Sequence, residues 1–419
     1  MRFAGLLASH TEFRKLWIGS SVSAAGSQVT LLALPLTAVL IFGAGPAETG
    51  LLTALGVAPV VVFGLFIGAL VDRLPRRRTA IVADLLSAAI IASVPAAALL
   101  GSLRLEHLYV ATFLAGTCSI CRRTSVSAML PALVGRDKLI DANSQMIVSF
   151  SVAQIAGPSI AGVLVQVLSA PLALVVDAAS FIFSSVCTTR IRLHEPQTTR
   201  HERTSILHEV AQGLAWLYGQ PVLFRLAVCI GLANLAWFGV QAVIVVFATR
   251  DLGLSPAVLG VALGMVGPAT LVGAVLAGRI ARRFGLGPTM VFSLTGEFLS
   301  RVLLVCAGGS PLVAVLCLGS SQLLFGFIAP LWDVNANSLR QSGTPEHMLG
   351  RVSAATSFVG VGLGSVGALL AGWIGEVAGL RVALLATALV TLLAVAVLVR
   401  SPVPALRDAA TALGSANAA

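Results

Sequence analysis

The 419-residue sequence predicts an all-α polytopic membrane protein, with twelve transmembrane helices in two pseudo-symmetric six-helix bundles. Three observations carry this expectation. The chain is 57% hydrophobic and only 11% charged, where a soluble domain is about a quarter charged. Its apolar runs are long and are separated by short basic stretches, without the amphipathic periods of a soluble multidomain chain. It also repeats itself at a fixed offset. Leu139 falls on Leu349, Gly157 on Gly367 and Gly162 on Gly372 at a spacing of 210 residues.

The spans are expected at residues 16–42, 49–71, 79–100, 107–131, 139–169, 172–189, 223–247, 256–280, 289–307, 312–338, 349–378 and 382–399. About 20 apolar residues rising about 1.5 Å each cross a hydrocarbon core of roughly 30 Å, and these runs suffice. Arg14 and Lys15 precede a first run too long for a cleavable signal peptide. Between the second and third spans lies 68–78, Gly-Ala-Leu-Val-Asp-Arg-Leu-Pro-Arg-Arg-Arg, whose four arginines hold a tight loop at one membrane face. Short loops rich in Lys and Arg stay in the cytoplasm. Of the 27 basic residues, Arg104, Arg250 and Arg381 fall in outer loops and Arg122, Arg123 and Arg301 within spans; the others fall on the cytoplasmic side. An even span number then puts both termini in the cytoplasm, in a cell-membrane protein.

The domain reading follows: residues 1–189 form the first bundle, 190–220 a cytoplasmic linker, 221–400 the second bundle and 401–419 a disordered tail. Within the linker, Ile206, Leu207, Val210, Leu214 and Leu217 recur at helical spacing, the mark of an amphipathic helix on the membrane surface. At an offset of 206, Val71-Asp-Arg-Leu-Pro-Arg-Arg77 falls on Ala277-Gly-Arg-Ile-Ala-Arg-Arg283, a weaker copy of the basic loop with Gly278 where Asp72 would stand.

The net charge of +10 does not indicate nucleic acid, because no basic stripe interleaved with aromatics occurs. The six cysteines lie in or beside apolar spans and read as small packing residues; Cys118-x-x-Cys121 has no second pair to complete a metal site. His10, His107, His194, His201, His208 and His347 fall in loops or at span ends, and no His/Cys/Asp/Glu cluster has catalytic spacing, so the chain is not read as an enzyme. No sizeable soluble domain is present to suit a receptor.

Gly68-x-Leu70-x-Asp72-Arg73-x-x-Arg76-Arg77, with Pro75 in place of a usual Gly, resembles the signature between the second and third helices of the major facilitator superfamily. Gly157-Pro158-x-x-x-Gly162 resembles the fifth-helix motif of its antiporter branches, with Ala161 in place of a glycine. Met129-Leu-Pro-Ala-Leu-Val134 with Leu139-x-x-Ala142-Asn143, and Thr344-Pro-x-x-x-Leu-Gly-Arg351, resemble the twelve-helix drug:proton antiporters that include macrolide-efflux and siderophore-export proteins.

The resemblance implies a major facilitator fold and proton-coupled efflux of an amphipathic small molecule (a drug, antibiotic, natural product or siderophore) by alternating access. A lipid flippase or an importer of the same fold is the alternative. The partners implied are that substrate, protons and membrane lipid. No cofactor beyond the proton gradient, no metal, no nucleic acid and a monomeric state are expected. Asp72 would close the inner gate against a helix N-terminus, where the dipole favours negative charge, with Gly68, Arg73, Arg76 and Arg77 completing the loop. The other reading of these residues is topology and close helix packing alone.

Ionisable groups inside a membrane are candidates for function. Asp177, about two turns into the sixth span, is read as a proton carrier or as an interhelical hydrogen-bonding group. Glu297 is a second proton-coupling candidate; Arg301, one turn later, is spaced to neutralise it. Arg123 and Asp333 are equivalent across the 210-residue offset with opposite charge, and are read as an inner-gate ion pair or as groups with separate local partners. Gln28, Asn234, Gln241, Gln322 and Asn335, beside Trp237 and Trp332, are candidates to line a cavity or to hydrogen-bond between helices. Gly157-Pro158 is expected to bend its helix.

Overall fold

A computed structural model describes residues 6–7, 9–71, 74–192 and 206–407. Among these residues every regular element is helical. The helices are α1 Thr11–Phe42, α2 Pro46–Val71, α3 Arg76–Leu99, α4 Leu105–Val134, α5 Leu139–Leu168, α6 Ala170–Thr189, α7 Ile206–Tyr218, α8 Pro221–Val246, α9 Pro256–Gly264, α10 Val266–Phe284, α11 Leu286–Cys306, α12 Pro311–Ser342, α13 Leu349–Ala378 and α14 Leu380–Val399. Helices α9 and α10 together make the eighth span, broken at Met265, and each expected span is present. Among the described residues, eleven spans are long and apolar enough to cross a membrane, judged by length and composition. The twelfth, α4, carries Arg122 and Arg123 side by side, which lowers its hydropathy.

The internal repeat is visible in the helix boundaries. The starts of α1 and α8, α2 and α9, α3 and α11, α5 and α13, and α6 and α14 all lie 210 residues apart. Even the single 3₁₀ turns before α5 and α13, Arg136–Lys138 and Glu346–Met348, obey the offset. So does the tight turn after each of these helices. Ser169 has φ +84°, and its repeat equivalent Gly379 has φ +97°. Only glycine adopts that backbone without a steric cost from Cβ, so the first copy of the turn is the strained one.

The chain forms two compact units. The first comprises Met1–Ala44, Leu55–Arg203 and Ser255–Gly264; the second comprises Gly45–Ala54, Thr204–Leu254 and Met265–Ala419. In the first unit α6 packs on α1 and α3, α4 packs on α3, and α5 packs on α1 and α9. In the second, α14 packs on α8 and α11, α12 packs on α10 and α11, and α13 packs on α8. One core of the first unit gathers Phe13, Leu16, Val126, Met129, Leu130 and Ile191. The second unit's core includes Leu226, Met290, Leu294, Trp332, Leu339 and Leu398.

Basic residues close helix C-termini, where the free carbonyls concentrate negative charge. Lys15 Nζ donates to Arg190 O at 2.8 Å, and its repeat equivalent Arg225 donates through Nη1 to Arg400 O at 3.2 Å. Small residues set the closest helix crossings. A Cβ on Gly162 of α5 would lie 2.8 Å from Gly260 Cα of α9, and one on Gly50 of α2 would lie 2.9 Å from Gly372 Cα of α13. These two pairs are repeat images of each other, and at both the backbones meet without side chains between them.

One expectation is corrected. The tail read as disordered from Ser401 is ordered through Arg407. A 3₁₀ turn at Val403–Ala405 follows α14, Val403 is buried, and the carbonyls of Arg407 and Leu406 accept from the N–H groups of Leu286 and Gly287. The free N-terminal donors of α11 supply the reason, since they need acceptors; residues 408–419 lie outside the described ones. The linker helix α7 packs on α13. Leu217 is buried, and a Cβ on Gly213 would lie 2.8 Å from the carbonyl carbon of Arg351. On its apolar face Leu217 is buried and Leu214 is exposed.

Candidate functional site

In the first unit the polar side chains collect where α1, α3, α4 and α6 face one another. Asp177, on the second turn of α6, is 1% exposed. It accepts hydrogen bonds from Thr30 Oγ1 of α1 and from Ser180 Oγ at 3.0 Å. A Cβ on Gly26 would lie 2.7 Å from Asp177 Oδ1, so the missing side chain at that position lets the carboxylate reach α1. Asp177 belongs to none of the three ion pairs seen among the described residues. The hydrogen bonds that hold its carboxylate come from hydroxyl groups.

The charge that sequence reasoning missed lies nearby. Arg122 Nε of α4 sits 2.7 Å from Asp84 Oδ1 of α3, with side-chain exposures of 18% and 1%. Arg122 Nη2 also donates to Ser20 Oγ at 3.3 Å and Ser184 Oγ at 3.4 Å, tying α4 to α1 and α6. The signal was present. Asp84 is the one ionisable residue within its apolar run and Arg122 stands on the next span, and charges buried in lipid seek each other.

The other first-unit candidates divide. Gln28 is buried, and Gly157 makes room for it: a Cβ there would lie 2.6 Å from Gln28 Cγ. Helix α5 runs unbroken from Leu139 to Leu168 through Pro158. Gly68 lies in the last turn of α2. Arg76 Nη1 donates to Ala128 O of α4 at 2.9 Å. Arg77 donates to the last carbonyls of α6, to Thr188 O at 3.2 Å and to Thr189 O. These two arginines therefore fasten α3 to its neighbours. Asp72 and Arg73 lie outside the described residues. Arg123 is exposed.

In the second unit, three of the cavity candidates converge. Trp237 and Gln241 of α8 and Gln322 of α12 line one crevice, together with Phe325, Ser300 and Arg301. The Trp237 and Phe325 rings stack with centroids 4.5 Å apart and planes 10° from parallel. Arg301 also makes the ion pair permitted by the spacing on α11. Arg301 Nη1 lies 3.1 Å from Glu297 Oε2, and both residues are more than nine-tenths buried. The remaining candidates lie elsewhere. Asn234 donates to Ile230 O at 2.9 Å, Asn335 donates to Leu331 O at 2.7 Å, and Trp332 is part of the apolar core. Asp333 is exposed.

Comparison with known proteins places this architecture. The sequence profile described as Major Facilitator Superfamily matches residues 16–366 and 226–417. The chain is 28% identical over 378 residues to the multidrug efflux pump Tap of Mycolicibacterium fortuitum, covering 88% of this chain and 90% of that one. It is 24% identical over 376 residues to the enterobactin exporter EntS of Citrobacter koseri, covering 88% and 86%. Among solved structures, a mutant of the nucleoside transporter NupG superposes with a TM-score of 0.75 at 12% identity, over 93% of this chain and 99% of that one. A bacterial homologue of the iron transporter ferroportin gives 0.73 at 17%, over 93% and 98%.

Proposed function

The chain belongs to the Major Facilitator Superfamily, and from that premise we propose that it exports an amphipathic small molecule from the cell in exchange for protons. The observation that carries the proton half of this reading is the setting of Asp177. A carboxylate inside a membrane bundle, 1% exposed and held by Thr30 and Ser180, is stabilised when ionised without a cation in ion-pair contact among the described residues. Adding a proton leaves a neutral group in the same low-dielectric place. Glu297 is differently placed, because Arg301 already balances it.

The export half draws on the relatives, which are an efflux pump and a siderophore exporter. The transport cycle is alternating access, with the loop at Asp72 and Arg73 as gate and Arg76 and Arg77 as its anchors. Arg123 and Asp333 are the candidate inner-gate charges. The protein works as a monomer in the cytoplasmic membrane, with both termini inside and no cofactor beyond the proton gradient.

The test is accumulation of a dye panel, ethidium included, in cells with and without the chain. Expression should lower accumulation, a protonophore should restore it, and Asp177→Asn at equal abundance should abolish the proton-dependent part. Unchanged proton-dependent efflux in that variant would remove Asp177 as the carrier. Labelled lipid moving in protein-containing vesicles without dye efflux would replace the export reading.

A further inference from the structure

Arg301 uses only part of its hydrogen-bonding capacity. The residue is 3% exposed. Its Nη1 serves both the carboxylate and the backbone carbonyl of Glu297, each at 3.1 Å. Its Nε and Nη2 have no hydrogen-bond partner among the described residues. Those two N–H groups lie along one edge of the planar guanidinium, the edge whose fork matches the two oxygens of a carboxylate. A buried donor left idle is costly, and a charged one more so, so an idle fork indicates a place kept for an acceptor.

The free edge belongs to a residue lining the crevice, and the crevice's other walls define what fits. Gln241 and Gln322 supply amide groups that can donate to oxygen. The Trp237–Phe325 stack offers a flat aromatic surface. The crevice is narrow, about 10 Å³, room for one water-sized group rather than a whole molecule. A terminal oxygen-bearing group would enter, and the body of the ligand would lie along the rings.

We propose that this crevice is the carboxylate subsite of the second unit. An aromatic acid places one carboxylate oxygen in the crevice, where it accepts from Nε and Nη2 of Arg301, with its ring against Trp237 and Phe325. The proposal deepens the export reading by naming the class of cargo as organic anions, and it rests on that reading only for the statement that the bound acid is carried. Glu297 is then the group that shares Arg301 with the cargo. Its negative charge weakens the hold on a second anion.

The experiment is isothermal titration of the intact chain in lipid nanodiscs with salicylate, and with salicylamide as the neutral analogue carrying the same ring. Salicylate should bind the unmodified chain about tenfold more tightly, or better, as charge-assisted hydrogen bonds require. Glu297→Gln removes the competing carboxylate and should strengthen salicylate binding several-fold. The double variant Glu297→Gln/Arg301→Gln keeps a neutral hydrogen-bonding pair, so it should fold, and should lose the preference for salicylate. No saturable salicylate binding, equal binding of the two probes, or a preference that survives in the double variant would each overturn the subsite. Salicylate binding as described without dye efflux from cells would overturn export and leave the subsite standing. Proton-dependent dye efflux without any salicylate preference would overturn the subsite alone.

Discussion

Replacing Arg122 by Gln should destabilise the first unit by about 3–5 kcal/mol, because it strands Asp84. Arg122 Nε lies 2.7 Å from Asp84 Oδ1, and the Asp84 side chain is only 1% exposed. A carboxylate that loses its partner there can be reached by little water. Its escape is to take a proton, which for an acid of ordinary pKa near 4 costs about 4 kcal/mol at pH 7 and about 1.4 kcal/mol less for each pH unit below that. The two routes to the magnitude agree. At about 2–4 °C per kcal/mol for a unit of roughly 200 residues, the expected fall in Tm is about 6–20 °C. Tryptophan fluorescence during heating of the detergent-solubilised chain reads it out.

The double variant Asp84→Asn/Arg122→Gln removes both charges, so most of the stability should return. The loss in the single variant should also shrink at pH 5, where a stranded carboxylate takes its proton more cheaply. If the double variant is as unstable as Arg122→Gln alone, the loss comes from packing or from the bonds to Ser20 and Ser184. The argument from a stranded charge then fails.

Other outcomes follow from the same geometry. Ser169→Gly should raise Tm, since Ser169 sits at φ +84° and ψ +157° without a side-chain capping bond, in a region essentially confined to glycine that costs other residues about 1–3 kcal/mol; an unchanged or lower Tm would show that the turn carries no such strain. Gly162→Val should cost about 1–3 kcal/mol by overpacking, because Gly260 Cα lies 2.8 Å from the new Cβ and neither backbone can yield. Gly50→Val, the repeat image of the crossing with Gly372, should do the same, and a neutral result at either would contradict the close crossing. For the gate charges, Arg123→Asp or Asp333→Arg alone should impair dye efflux, and the two together should restore it; failure of the double reversal to rescue would end that pairing.

The spans were legible because hydropathy is a property of consecutive residues, and the repeat sharpened them because each half carries its own copy of the pattern. The 210-residue offset even anticipates the paired helix starts. The roles of single polar residues were less legible. Asn234, Asn335, Gln241 and Gln322 look alike as polar interruptions of apolar helices. Two of them satisfy a carbonyl one turn back on their own helix, while the other two face a crevice. Which occurs depends on how each helix is rotated about its axis, and an all-round apolar helix gives no amphipathic stripe from which to read that rotation.

Sequence alone therefore determined the class of protein, the number and order of its spans, the duplication and the family resemblance, all of which rest on local composition and spacing. Only the tertiary structure decided which buried charges are neutralised and which are left free. Asp84 proved to be spoken for by Arg122, Asp177 to be held by hydroxyls, and Arg301 to be half-used. The physical reason is that a charge in a low-dielectric interior is governed by groups within a few ångströms, and these come from other helices tens of residues away in the chain.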